Sequence, residues 1–265
     1  MAEVAQGVGP GSAGAGLDPG AVVALLHWWK LAGADTPVGA IPTSWLEAVP
    51  VPGQQPARLP DPAEPAPTTR TMAMAAPVAA RPDPIWDSLS TLDELAARMQ
   101  AEHPRAPFAD GNPASGLMIL GEAPSDEDLR TGRPFTGPAG QFLDRMLAAI
   151  GIDRTCAYIS LLCPRKRSAG PPGPDDIAAD LALTRAHIRL AAPRHILLLG
   201  ANPVQALTGN GTAISRIRGQ WLEVDAETGP VPALATFNPA YLLRRPEEKA
   251  RAWADLLMLK HRLSQ

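Results

Sequence analysis

The chain has 265 residues, 45 % of them hydrophobic, with 24 Lys and Arg against 27 Asp and Glu for a formal net charge of −3. That length suits one sizeable α/β domain with additional segments. Two cysteines, Cys156 and Cys163, exclude a disulfide framework and cannot supply a four-cysteine metal centre. No apolar run approaches the roughly 18–20 residues of a membrane span. The start of the chain lacks the basic and apolar regions of a signal peptide, so the expected setting is the cytoplasm, without membrane contact. The charge is uneven: residues 1–110 carry 6 Lys/Arg against 12 Asp/Glu, and residues 111–265 carry 18 against 15. A polyanionic partner would meet the second part; solvated faces of an ordinary protein read the same way.

In chain order, residues 1–17 are rich in Gly and Ala and read as a disordered N-terminus. Residues 18–49 read as a helical segment, with Asp18 as N-cap, Pro19 at the first helical position and Gly33 as a stop. Residues 50–86 read as a Pro-rich linker, with ten prolines between Pro50 and Pro84. The main domain is expected over 87–265. "STLDELAARMQAE" opens it as a helix with a Ser/Thr cap and Glu94 three residues after Thr91.

From residue 117 short apolar runs alternate with helical patterns. "LMILG", "CAYISLL", "HILLLG" and "PALATF" read as strands buried on both faces. "AGQFLDRMLAAIG", "PDDIAADLALTRAHIRLAA", "NPVQALTG" and "PEEKARAWADLLMLKHRL" read as helices. The expected fold is therefore an α/β, three-layer α/β/α sandwich around a short, mainly parallel sheet. Ligands of such folds bind beyond the C-terminal strand ends. The segments there are "GEAPSDEDLRTGRPFTGPAG", "LCPRKRSAGPPG", "GANP" and "NPAYLLRR".

The first segment sets Glu122 at a strand tip between Gly121 and the turn residues Ala123 and Pro124. It then carries Phe135 toward a helix start near Ala139, where backbone N–H groups can hold an anion and the ring can stack on a planar ligand. Taken alone, a Pro/Gly loop with a solvated acidic run and a core Phe is the better account of it. The five histidines follow no metal-ligand spacing, and structural or exposed roles are expected for all of them.

Together, "GEAPSDEDLRTGRPFTGPAG" and "NPAYLLR" resemble the paired motifs of the uracil-DNA glycosylase superfamily, specifically its family 4; the resemblance covers about residues 87–265. It implies cleavage of the N-glycosidic bond of uracil, or a related deaminated base, flipped out of DNA in base excision repair. Glu122, Asn238 and Asp128 become the candidate catalytic residues. Gly121, Ala123, Pro124, Phe135 and Leu161 become candidates for holding the base. Arg165, Lys166, Arg167, Arg216, Arg218, Leu242, Leu243 and Arg244 become candidates for DNA contact, with a leucine of the "YLLR" loop filling the gap left by the base.

Four departures qualify the implication. Asn238 stands where family 4 has histidine, although the mismatch-specific branch of the superfamily writes the motif with Asn-Pro. Leu161 aligns with an asparagine that reads the base edge, and an alternative register would put Ser160 there. Ser125 replaces a loop glycine, and "DL" at 128–129 replaces Glu-Asp. Finally, the family usually carries a [4Fe–4S] cluster on four cysteines; here two aligned ligand positions hold Arg165 and Asp180, so the cluster is expected to be absent and no cofactor is expected. The expected partner is uracil-containing DNA, single- or double-stranded, and the expected state is a monomer. Two other classes stay open at this point: a non-catalytic DNA-binding relative, and a small-molecule nucleotide binder.

Overall fold

A computed structural model of the chain describes residues 84–165 and 170–265. The expected segments 1–17 and 18–49, and all but the end of the linker 50–86, lie outside the described residues. A short helix α1 (Pro84–Asp87) buries Trp86 against α2 (Leu92–Glu102), so packing begins slightly ahead of residue 87. Thr91 caps α2 with the reciprocal bond to Glu94 that its spacing predicts.

The sheet has six strands in the order β1-β3-β2-β4-β6-β5. Its central strands β3 (Tyr158–Leu161), β2 (Leu117–Gly121), β4 (His195–Leu199) and β6 (Gly229–Thr236) are mutually parallel. The edge strands β1 (Ala109–Gly111) and β5 (Trp221–Ala226) run antiparallel to their neighbours. Neither edge was legible in the sequence: β1 has three residues, and β5 mixes Trp221 and Leu222 with Glu223 and Asp225.

Alternation along the central strands sorts the core into two layers. Ile119, Ile159, Leu197 and Leu234 face α4 (Pro138–Ala149) and α9 (Lys249–Leu263), meeting Phe142, Met146, Trp253 and Leu256. Met118, Leu120, Ile196 and Leu198 face the other way, with α5 (Pro174–Ala191) and α6 (Ala201–Thr208) supplying Leu181, Ile188 and Val204. Helices cover both faces of the sheet, which is the three-layer arrangement expected from the sequence.

One polar network lies inside this fold. His187 is buried and stacks on Phe108, ring centroids 4.5 Å apart. Its Nε2 lies 2.9 Å from the Tyr158 hydroxyl and its Nδ1 lies 3.2 Å from Ser160 Oγ, which also donates to the Phe108 carbonyl. Desolvation holds the imidazole near pKa 3, against an ordinary 6.5. The unfolded chain therefore takes up a proton below pH 6.5 while the folded one stays neutral until about pH 3. This residue is thus stabilising-neutral above pH 6.5, and it lowers stability by about 1.4 kcal/mol per pH unit below that, down to its folded pKa. Denaturant unfolding of the wild type and His187→Gln at pH 7 and pH 5 should show a smaller acid loss in the variant; equal losses would contradict the assignment.

Candidate active site

Strand register brings the site together. Leu120 pairs with Leu198, and Leu199 pairs with Thr236, so the tips of β2, β4 and β6 stand side by side. Glu122, Gly200 and Asn238 therefore leave the sheet as neighbours. Gly200 has φ +104°, and a Cβ on it would lie 3.4 Å from Asn238 Cβ and 3.9 Å from Glu122 Oε2. Glycine lets the chain turn from β4 into α6 without a side chain between the carboxylate and the amide.

Glu122 and Asn238 open onto a cavity of about 430 Å³, lined also by Phe135, the first turn of α4, and Arg244. The 12-residue helix α4 directs the positive end of its dipole at this space. Glu122 is half-buried, and its Oε1 accepts a hydrogen bond of 2.8 Å from Asn202 Nδ2. Burial raises the Glu122 carboxyl above its ordinary value, and the Asn202 bond opposes that rise. Asn238 caps α8 (Pro239–Arg244): its Oδ1 accepts from the Ala240 N–H at 2.9 Å. The cap fixes which way the amide points, leaving Nδ2 as the group available to a ligand.

Phe135 is held from behind. Its backbone has φ +56°, a left-handed conformation rare for an aromatic residue. Arg154 donates to the Phe135 carbonyl, and to that of Pro134 at 3.2 Å, while pairing with Asp110 at 2.5 Å and Asp144 at 2.8 Å. Burial alone would raise the Asp110 carboxyl; the guanidinium groups of Arg133 and Arg154 outweigh it and hold it low. Gly140 is required on the other side, because a Cβ there would lie 1.7 Å from the Phe135 oxygen. The ring itself covers Gly121, where a Cβ would lie 2.5 Å from its edge.

Several candidates have other places than the sequence suggested. Asp128 borders the cavity, but Oδ2 accepts from the Ser125 N–H and Oδ1 from the Thr136 N–H and hydroxyl. Both of its carboxylate oxygens are thus bound within the loop. Ser125, standing in for a loop glycine, caps α3 (Asp126–Thr131), a helix that the sequence reading took for loop. Leu161 is buried in the core with a methyl close to Gly121, on the side of Phe135, and does not line the cavity. Ser160 points into the opposite layer, toward His187, which removes the alternative register. "YLLR" is helical: Leu242 is fully buried in the core, whereas Leu243 is 40 % exposed beside the exposed Arg244.

Charge at the strand ends is also committed elsewhere. Arg165 pairs with the fully buried Asp180, and Arg218 pairs with the fully buried Asp255. Arg218 also donates to the Arg251 carbonyl at 2.7 Å, so neither residue is placed as a simple phosphate contact. Burial raises the Asp255 carboxyl against the pull of Arg218 and Thr236. Arg216, on α7 (Ile214–Ile217), is exposed at the end of β6. Lys166 and Arg167 lie outside the described residues. Asn202 and Arg154, which hold Glu122 and the Phe135 backbone, were not picked out in the sequence. Asn202 lies two positions after the strand-tip Gly200, in the "GANP" segment, and that is the signal that could have found it.

The iron–sulfur cluster implied by the resemblance does not fit the thiols present. Cys163 is fully buried among apolar side chains, and exposed Cys156 sits at the other end of β3. The aligned positions 165 and 180 hold an ion pair instead of ligands. Among the described residues no cluster of three or more His, Cys, Asp or Glu side chains is arranged to hold a metal ion.

The fold and cavity define an α/β protein whose strand tips direct a carboxylate and an amide into a cavity walled by an aromatic ring. Comparison with known proteins agrees: residues 108–257 match the model of the uracil DNA glycosylase superfamily. The type-4 uracil-DNA glycosylase of Thermotoga maritima is 33 % identical over 147 residues, covering 54 % of this chain and 73 % of that protein. That of Archaeoglobus fulgidus is 34 % identical over 151 residues, 55 % of this chain and 75 % of the relative. That of Pyrobaculum aerophilum is 29 % identical over 154 residues, covering 56 % and 79 %. The chain belongs to the uracil-DNA glycosylase superfamily.

Proposed function

We propose that the protein is a DNA N-glycosylase that hydrolyses the bond between uracil, or a related deaminated base, and deoxyribose after the nucleotide is flipped out of DNA. The observation that carries this reading is the convergence of Glu122 and Asn238 on one cavity beside Phe135. As the bond breaks, the sugar gains positive and the base negative charge. The Glu122 carboxylate would face the sugar and orient the attacking water; Asn238 Nδ2 would donate to the base oxygen nearest the breaking bond. Phe135 would stack on the base, against the backbone of Gly121, Ala123 and Pro124. The α4 dipole would favour the departing anion. No side-chain amide at position 161 reads the far edge of the base, so selectivity for uracil would rest mainly on cavity shape. Membership of the family and the names of its relatives support the chemistry; the residue roles are the proposal.

The rim of the cavity would meet DNA through Arg244 and Arg216, with Leu243 as the side chain filling the vacated stack. Lys166 and Arg167 are further proposed DNA contacts. Arg165 and Arg218 would hold the scaffold beneath it. We further propose that the protein works without an iron–sulfur cluster, as a monomer in the cytoplasm; among the described residues no helix is long and apolar enough to cross a membrane.

Single-turnover incubation with uracil-containing DNA should give abasic sites, and Glu122→Gln and Asn238→Ala should each slow this by about 10²-fold or more. Binding of uracil-containing DNA without any cleavage would favour the non-catalytic relative instead. Freshly purified protein should contain no stoichiometric iron or acid-labile sulfide; finding both would refute the cluster-free reading. Arg244→Ala should reduce the salt slope of DNA binding by about 1, as expected for one lost phosphate contact. Arg165→Ala should leave the slope unchanged but destabilise the fold, because it removes an arginine partner of the buried Asp180. The reverse pattern would move Arg165 onto the DNA.

A further inference from the structure

We propose that Asn202 is a positioning residue for Glu122, its side-chain amide holding one carboxylate oxygen so that the other is presented to the cavity. The inference rests on the proposed glycosylase reading for its functional meaning, but its geometry stands apart from that reading.

Asn202 comes from α6, outside both motifs that point to the family, and reaches Glu122 across 80 positions of sequence. It is the second residue of its helix, where asparagine has no advantage as a cap; the capping position is Gly200. Asn202 Nδ2 is 2.8 Å from Glu122 Oε1, and this is the hydrogen bond that Glu122 makes through its side chain among the described residues. With Oε1 held, Oε2 faces the space beside Gly200 and Asn238. A single donor on one oxygen removes the rotational freedom of the carboxylate and favours its charged form.

The other groups around Glu122 do not perform this task. Asp128, from α3, has its oxygens bound to Ser125 and Thr136. Asn238, from the start of α8, spends its oxygen on the α8 cap. Arg244, at the end of α8, is the cation lining the same cavity, but it makes no hydrogen bond or ion pair with Glu122 among the described residues. Histidine and lysine are absent from the lining of the cavity among the described residues. The charge state of Glu122 is therefore set by its burial and by the Asn202 donor.

The test uses the full chain and two variants, Asn202→Ala and Asn202→Asp, with folding checked by circular dichroism. The aspartate keeps the shape and removes the donor. The carboxyl of Glu122 is followed by NMR titration with ¹³C-labelled glutamate, assigned through Glu122→Gln, and excision of uracil from DNA is followed across the same pH range. Both variants should titrate Glu122 at higher pH than the wild type, Asn202→Asp the more so. Their excision at the acid end should fall about tenfold further than at the alkaline end, moving the acid limb upward. An unchanged Glu122 titration in both variants would overturn the inference. If the wild type excises nothing at any pH, the glycosylase reading fails, and the titration still decides whether Asn202 controls Glu122.

Discussion

The register of three parallel strands is the constraint on which the rest depends. Because Leu120 is level with Leu198 and Leu199 with Thr236, the chain leaves β2, β4 and β6 at adjacent points on one edge. A slip of one residue would reverse every side chain between the two core layers, so burial on both faces fixes this register strongly. Once it is fixed, Glu122, Gly200 and Asn238 have to be neighbours. Gly200 is the consequence in backbone terms: two polar side chains can approach there only where a third is missing.

The second feature of the molecule is how it spends its charge. Asp180 and Asp255 are fully buried, and each is matched by an arginine. Such pairs add little over a well-packed apolar core, but losing one partner is costly. They therefore tie the ends of the strands to α5 and α9 with specific geometry. Arg154 does the same beneath Phe135, drawing Asp110, Asp144 and two carbonyls into one network. An arginine in a strand-end loop is thus part of the scaffold as readily as part of a DNA-contacting rim. Arg165 and Arg218 take the first role, while Arg216 and Arg244 remain exposed.

This division explains what the sequence could and could not reveal. The four central strands were legible because burial on both faces leaves runs such as "HILLLG" unbroken. The long helices were legible from their periodicity, and α2 from its cap. Glu122, Asn238 and Phe135 were found because two motifs travel together, and the structure brings all three to one cavity. Ion pairs were not legible: nothing local tells whether Arg165 faces solvent or Asp180, fifteen positions on. Nor was the burial of Leu242 beside exposed Leu243, since neighbouring residues on a short helix look alike until the core is known. Asn202 escaped because its partner follows a different strand, and only the register shows that the two meet.

In the proposed reaction, a water oriented at Glu122 attacks the sugar carbon. The most direct test is the reaction run in water enriched in ¹⁸O, with uracil-containing DNA and both products analysed by mass spectrometry. The expected products are free, unlabelled uracil and abasic deoxyribose whose C1′ oxygen carries more ¹⁸O than exchange alone gives an abasic-DNA control in the same time, with release of both slowed about 10²-fold or more in Glu122→Gln at single turnover. Label on the released base, or release that is undiminished in Glu122→Gln, would contradict the proposed reaction.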